Sequence, residues 1–344
     1  MQTATKYIRK SWMLAIGLFF IGLMIGGTMI GMLNSPSSRG VDAASRSVVT
    51  ATTTATIASN AQNSKSPVLN VLATFFPLQD WAANVGGNKA NVSLLVPVEI
   101  DVHDFEPGPA DIQAIAKANL LILNGVDLEP WAPAALAAAN NPHLVVVDCS
   151  KGIQLLKLPA KFQESNRTLD PHIWNDPVDA IAMVKNILGG YIQADPSDSA
   201  YFTANANAYI RSLQVLNQEF IDLSNSKLAT RSFVTFHTAW GYFAQRYNLI
   251  QVPVFGPFEE DPTPADIQNV VFVINQNKFC YVGYESIENQ AIPQSIASQT
   301  HATLIPMDPN EGLTDQQVAV GETYLTMMQV MLIMMTLALQ NVGC

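Results

Sequence analysis

"PSDSAYFTANANAYIRSLQVLNQEFIDLSNSK" occupies residues 196–227. It shows no strand-like alternation, and Leu213, Leu216, Phe220 and Leu223 recur at helical spacing. Asp195, Pro196 and Ser197 supply a helix start signal. The spacing predicts one long helix over 197–226, and what flanks it decides the fold.

On the N-terminal side, "VLNVLATFF" (68–76), "VSLLVP" (92–97), "LLILN" (120–124) and "HLVVVD" (143–148) read as strands. "ADIQAIAKA" (110–118) and "WAPAALAAA" (131–139) have helical spacing between them. No strand is expected over 177–226. Alternation then resumes with "SFVTFH" (232–237), "GYFAQRYN", "VPVFG", "PADIQNVVFVINQN" (264–277), "FCYVGYE" (279–285) and "ATLIPMD" (302–308). A closing helix is expected from about 316 to 341, its Met-rich "MMQVMLIMM" reading as core rather than membrane. Strands alternating with helices indicate parallel sheets. The fold class expected is α/β, with an N-terminal lobe over 67–196 and a C-terminal lobe over 227–344.

Upstream, "WMLAIGLFFIGLMIGGTMIGML" runs over residues 12–33 without a charge. As a helix it would span ~33 Å, about one hydrocarbon core. Lys6, Arg9 and Lys10 precede it, which places residues 1–11 in the cytoplasm and the remainder outside. The expectation is an uncleaved membrane anchor; a cleaved signal peptide is the competing reading. No Cys follows the run, which argues against an N-terminal lipid-modified Cys. Residues 34–66 are rich in Ser, Thr, Ala and Asn and read as a flexible stalk.

With 344 residues the chain is long enough for about two domains. Its net charge of −10 argues against nucleic acid as a partner, which calls for clustered Lys and Arg. Cys149, Cys280 and Cys344 form no CxxC, so neither a thiolate zinc site nor a thioredoxin-type pair is supported.

The five His residues are His103, His143, His172, His237 and His301. His103 lies in "EIDVHDFEPGPAD", beyond the strand ending at Pro97, and His172 in the Pro-rich "LDPHIWNDP". His237 ends a strand in "TFHTAW", and Asp308 ends another in "IPMDPNEG". Ligands of open α/β sheets bind beyond the carboxyl ends of strands. His103, His172, His237 and Asp308 are therefore candidates to converge in a cleft between the lobes. A lone loop His is more often solvated than ligating, so the reading rests on the set. Neutral imidazoles with one carboxylate suit four-coordinate zinc, whereas manganese would lean further toward carboxylates. His143 and His301 read as structural or surface residues.

Six segments carry a resemblance. "VLATFFPLQDWAANVGG", "HDFEPGPADIQAIAKANLLILNGVDLEPW", "DPHIWNDP", "FVTFHTAWGYFAQRYNL", "PTPADI" and "MDP" follow one another over about residues 67–344. In that order the chain resembles the cluster A-I solute-binding proteins of metal-uptake ABC transporters, which bind zinc or manganese. Each segment alone is a weak signal; the ordered set is specific.

The resemblance implies two Rossmann-like lobes joined by one long rigid helix, with a metal ion held between them. It implies His103, His172, His237 and Asp308 as ligands. A Glu in place of His237 would point to manganese, so Zn²⁺ is the expected cargo, with Mn²⁺ or iron as the alternative. An ABC permease is the implied partner, and the protein is expected to be a monomer. Metal-bound His donates its other ring N–H to a carboxylate or carbonyl, and Glu106, Asp176 and Glu285 are candidates by position. Trp174 and Trp240 are candidates to exclude water. The resemblance further implies a disulfide between Cys280 and Cys344, with Cys149 buried and unpaired.

Three departures stand out. Val102 replaces the usual Pro before His103, which should alter loop stiffness without removing the ligand. The stretch "KGIQLLKLPAKFQESNRTL" has no His, so a His-rich capture loop is absent there. The lipid-anchor Cys of many members is missing, and the apolar segment is expected to replace it. A zinc hydrolase is disfavoured: no HExxH occurs and the Asp would fill the position that catalytic water needs. A surface adhesin role would coexist with metal binding rather than replace it.

Overall fold

The computed structural model describes residues 68–343 apart from 99, 164–166 and 259–261. The apolar run 12–33 and the segment 34–66 lie outside the described residues, as does Cys344.

The first lobe holds β1 (Leu69–Ala73), β2 (Ala90–Leu94), β3 (Leu120–Leu123) and β4 (Val145–Asp148), with α1 (Phe76–Gly86), α2 (Pro109–Lys117), α3 (Ala132–Ala139) and α4 (Pro177–Ala194). The strands form one parallel sheet in the order β2-β1-β3-β4, with Val71 paired to both Val92 and Leu120. β3 is buried along its whole length because helices cover both faces of the sheet.

In the second lobe, β5 (Ser232–Thr235) pairs in parallel with β6 (Ile250–Pro253), and β7 (Tyr281–Tyr284) with β8 (Thr303–Pro306). Its helices are α6 (Gly241–Arg246), α7 (Pro264–Asn277), α8 (Ala291–Thr300), α9 (Asp315–Val320) and α10 (Tyr324–Gln340), numbered past the connecting helix α5 (Ser199–Asn225). Thr263 and Asp266 close α7 with a reciprocal capping box, which satisfies two of its orphan N-terminal donors.

The connecting helix spans 27 residues, about 40 Å at 1.5 Å per residue. Phe202, Ala206, Tyr209, Leu213, Leu216, Phe220 and Leu223 bury one face at alternating steps of four and three. That face packs on α1 and α4 of the first lobe and on α10 of the second. One apolar core therefore continues from Val71 and Leu120 through Leu213 and Phe220 to Phe233 and Met335. Each fully buried Leu or Phe contributes about 1.5–3 kcal/mol, so the helix is braced along its length rather than hinged.

Two sequence expectations are corrected. The closing helix is two helices, because Gly321 takes a left-handed conformation (φ 71°) that caps α9, and Thr323 starts α10 with a new capping box. Met327, Met328, Met331 and Met335 are buried on α10. In the first strand, extended structure stops at Ala73 rather than running to Phe76, where α1 begins with Pro77 in its first turn.

Candidate metal centre

Four side chains meet beyond the carboxyl ends of the strands: His103, His172, His237 and Glu311, all buried, with one ligand-type atom of each within 4.8 Å of the others. His103 stands in the loop after β2 and His172 in a turn before α4. His237 lies two residues past β5, and Glu311 five residues past β8.

Local chemistry sets each side chain. The backbone N–H of His103 donates to Asp101 Oδ1 at 2.7 Å, and the neighbouring Val102 is buried in the common core. Val102, where a Pro was expected, thus anchors the loop through its side chain. Asp170 accepts from both the backbone N–H of His172 (3.0 Å) and its Nδ1 (2.7 Å). Glu285 accepts from His237 Nδ1 at 2.6 Å, while Gln251 Nε2 donates to the His237 carbonyl at 2.8 Å. An Nδ1–H given to a carboxylate leaves the Nε2 lone pair free to face the centre. Gly312 follows Glu311 where an added Cβ would lie 2.3 Å from the Val98 carbonyl oxygen, and Leu313 N–H donates to that oxygen at 3.0 Å. A side chain at 312 would push the Glu311 segment off the His103 loop.

The distances are those of a group that could hold a metal ion. His172 Nε2 and His237 Nε2 are 3.3 Å apart. Glu311 Oε1 lies 3.3 Å from His172 Nε2 and 3.4 Å from His237 Nε2. A tetrahedral zinc ion with bonds of ~2.0–2.1 Å has ligand–ligand edges of about 3.3–3.4 Å. Those three atoms form one face of such a tetrahedron, and His103 Nε2, 3.9 Å from Glu311 Oε2, stands over it. His103 Nε2 and Glu311 Oε1 are buried without a hydrogen-bond partner among the described residues. Orphaned buried polar atoms are costly, and a cation between them removes the cost.

The electrostatics agree. Burial alone would push both His172 and His237 down. Asp170 and Glu311 outweigh it at His172, and Glu285 and Glu311 outweigh it at His237, so both imidazoles are raised. His103 lacks a flanking carboxylate of this kind, and burial lowers it to about 4. Burial opposes ionisation of Glu311, but the imidazoles of His237, His172 and His103 hold it well below the usual carboxylate range. Aromatic rings wall the centre: Trp174 lies 5.1 Å from His172, Phe255 stacks on His237 at 6.0 Å, and Phe258 meets His103 at 5.9 Å.

The other sequence expectations fall out unevenly. Asp308, expected as the fourth ligand, is outside the group: its carboxylate accepts from Ser286 N–H and, at 2.9 Å, from Ser286 Oγ. Glu311, three residues further on, stands in the group instead. Asp176 caps α4 through Val178 N–H (2.8 Å) and pairs with Arg246 Nε (2.7 Å), so it supports no imidazole. Glu106 is exposed. Glu285 does hold an imidazole, and Asp170, two residues before His172, was missed although it stands in the same "DPH". Trp174 reaches the centre, whereas Trp240 packs on Phe243. His143 and His301 are exposed. Cys149 is buried and free, and Cys280 is buried and disulfide-bonded.

Residues 71–336 match the family profile described as zinc-uptake complex component A, periplasmic. The high-affinity zinc uptake system protein ZnuA of Bacillus subtilis is 30% identical over 276 residues, covering 78% of this chain and 86% of that protein. The zinc-binding lipoprotein AdcA of Streptococcus pneumoniae is 28% identical over 285 residues, which are 79% of this chain but 56% of AdcA. The zinc-bound ZnuA-like domain of AdcA superimposes with a TM-score of 0.69 at 27% identity, over 79% of this chain and 99% of the domain. The laminin-binding protein Lmb of Streptococcus agalactiae, described as a bifunctional adhesin and metal transporter, does so with a TM-score of 0.69 at 26% identity, over 78% and 98%. The expected membrane-spanning anchor is corrected by these findings. Among the described residues no helix is long and apolar enough to cross a membrane, and the matching proteins are described as periplasmic or as lipoproteins.

Proposed function

The chain belongs to the zinc-uptake component A family of substrate-binding proteins, and from that premise we propose that His103, His172, His237 and Glu311 are the residues with which it takes up Zn²⁺. It is a binding protein of an ABC-type zinc importer and not an enzyme. It works outside the cytoplasm as a monomer, handing its cargo to the importer's permease. All four proposed ligands come from one chain, which supports the monomeric reading.

The observation that carries the assignment is the face of three atoms at 3.3, 3.3 and 3.4 Å, matching the edges of a zinc tetrahedron. Three imidazoles and one carboxylate favour zinc over manganese, which seeks more oxygen ligands. The buried carboxylate that a hydrolase would use as its base faces the centre here as a ligand. Adhesion, read as coexisting with metal binding, is supported by the likeness to laminin-binding proteins such as Lmb and Lbp.

The test is calorimetric titration of Zn²⁺ and Mn²⁺ into the metal-free protein, with chelator competition for the tight limit. One zinc per chain with much weaker manganese, and a loss of at least 100-fold in His237→Ala, is expected. Tight manganese would overturn the cargo, and unchanged zinc affinity in His237→Ala would overturn the site.

A further inference from the structure

Asn175 and Asn310 are 0% and 1% exposed, next to a centre walled with aromatic rings. A primary amide in such a place is expensive unless it is bonded. Asn175 Nδ2 donates to the Ala239 carbonyl at 3.0 Å, and Asn175 Oδ1 accepts from Asn310 Nδ2 at 3.2 Å. Asn175 follows His172 by three residues, Ala239 follows His237 by two, and Asn310 precedes Glu311. The Ala239 N–H in turn donates to the His237 carbonyl at 3.0 Å.

One side chain thus ties together the three segments that carry His172, His237 and Glu311. Those segments deliver the three atoms spaced at 3.3–3.4 Å. The tie crosses from the first lobe, where Asn175 leads into α4, to the second. Trp174 Nε1 donates to the Pro309 carbonyl at 2.7 Å across the same junction, and Tyr324 Oη donates to the Trp174 carbonyl at 2.6 Å. Asn310 takes a left-handed conformation (φ 66°), which Asn tolerates better than most residues, and its Oδ1 has no partner among the described residues. The unpaired Oδ1 is a local cost that a merely space-filling apolar pair would avoid, and the left-handed backbone is one that an apolar side chain would bear less well than Asn.

We propose that the buried amide pair Asn175–Asn310 sets the spacing of the His172–His237–Glu311 face, with Asn175 the positioning residue that governs how tightly the metal is held and how fast it leaves. This rests on the zinc reading of the centre. The pair touches no ligand atom; it acts by fixing the backbone of three loops from two lobes relative to one another. Holding ligands in register before the metal arrives removes ordering cost from binding.

The test uses the full chain with Asn175→Leu, Asn310→Leu and the double variant, whose paired leucines leave no stranded amide. Zinc affinity, the rate of zinc loss to excess chelator, the visible spectrum of the Co²⁺-loaded protein and the melting temperature without metal are measured. Asn175→Leu should weaken zinc binding about 10–100-fold, the range for partners that orient metal ligands, with faster release and an altered Co²⁺ spectrum. The double variant should regain melting temperature without regaining affinity. A folded double variant with unaltered affinity, release and Co²⁺ spectrum would overturn the proposal. Should the leucine variants not fold, amide hydrogen exchange of the unaltered metal-free protein decides: residues 172–176, 237–241 and 308–312 should open as one unit, and independent opening would overturn the tie. Failure of the unaltered protein to bind zinc would instead remove the reading of the centre, with the exchange measurement still deciding the tie.

Discussion

Glu285 Oε1 lies 2.6 Å from His237 Nδ1, and this contact fixes which nitrogen of the ring faces the centre. Asp170 does the same for His172 at 2.7 Å. Removing such a carboxylate frees the ring to rotate and lowers its basicity. Glu285→Ala and Asp170→Ala should each weaken zinc binding about 10–100-fold. Chelator competition against the unaltered protein reads the loss; affinities equal within threefold would contradict the orienting role.

Glu311 and Asp308 separate binding from support. Glu311→Ala removes a proposed ligand and leaves three imidazoles with no negative charge among them, so zinc affinity should fall at least 100-fold. Asp308→Asn should leave zinc affinity within a few-fold. It should lower stability by about 1–3 kcal/mol, because the half-buried carboxylate accepts from Ser286 twice. Paired zinc titrations and urea melts distinguish the two; the reverse pattern would return the fourth position to Asp308.

Zinc affinity should fall steadily from pH 7.5 to pH 5. His172 and His237 are raised by their carboxylates, so in the metal-free protein they hold protons that zinc must displace. His103, lowered to about 4, has none to give over this range. The sign of the linkage follows. A raised imidazole stabilises the metal-free fold fully below its unfolded pKa, and that contribution is lost as pH rises through the folded one. Zinc-bound protein has the opposite slope. The zinc-induced rise in melting temperature should therefore shrink toward pH 5, with net proton release on zinc binding, read in buffers of different ionisation enthalpy. A pH-independent shift would count against raised imidazoles in the centre.

Cys280 opens onto β7, and Phe279 bridges to Val342 while the Gly343 N–H donates to the Lys278 carbonyl at 2.9 Å. Residues 342–343 are thereby held beside residues 278–279, next to Cys280, and we propose Cys344 as its partner. Reduction, or Cys280→Ser, should cost about 2–4 kcal/mol of stability while leaving zinc affinity unchanged. Thermal melts with and without reductant, followed by zinc titration, check both halves; a matching loss of affinity would mean the link also shapes the centre.

Much of this protein was legible in its residues because the relevant signals are local. A buried stripe from Phe202 to Leu223 can only be a helix with one covered face. Runs such as Leu120–Leu123, apolar on both faces, are strands sandwiched by helices. His103, His172 and His237 each stand in a loop near a strand or helix boundary, where ligands of α/β sheets gather. The carboxylate read from the sequence was Asp308, whereas the structure groups Glu311 with the three His. Asp308 and Glu311 lie in one loop, three residues apart, and are equally competent chemically. Gly312 lets that loop close onto Val98, and Ser286 draws Asp308 away, so Glu311 alone turns inward. Glu285 was named by position, whereas Asp170, only two residues from His172, and Asn175 were not. Periodicity and capping act between neighbours in the chain and can be read along it. The directions of Glu285 and Asn175 are set by partners 48 and 135 residues away, which only the packed structure brings together.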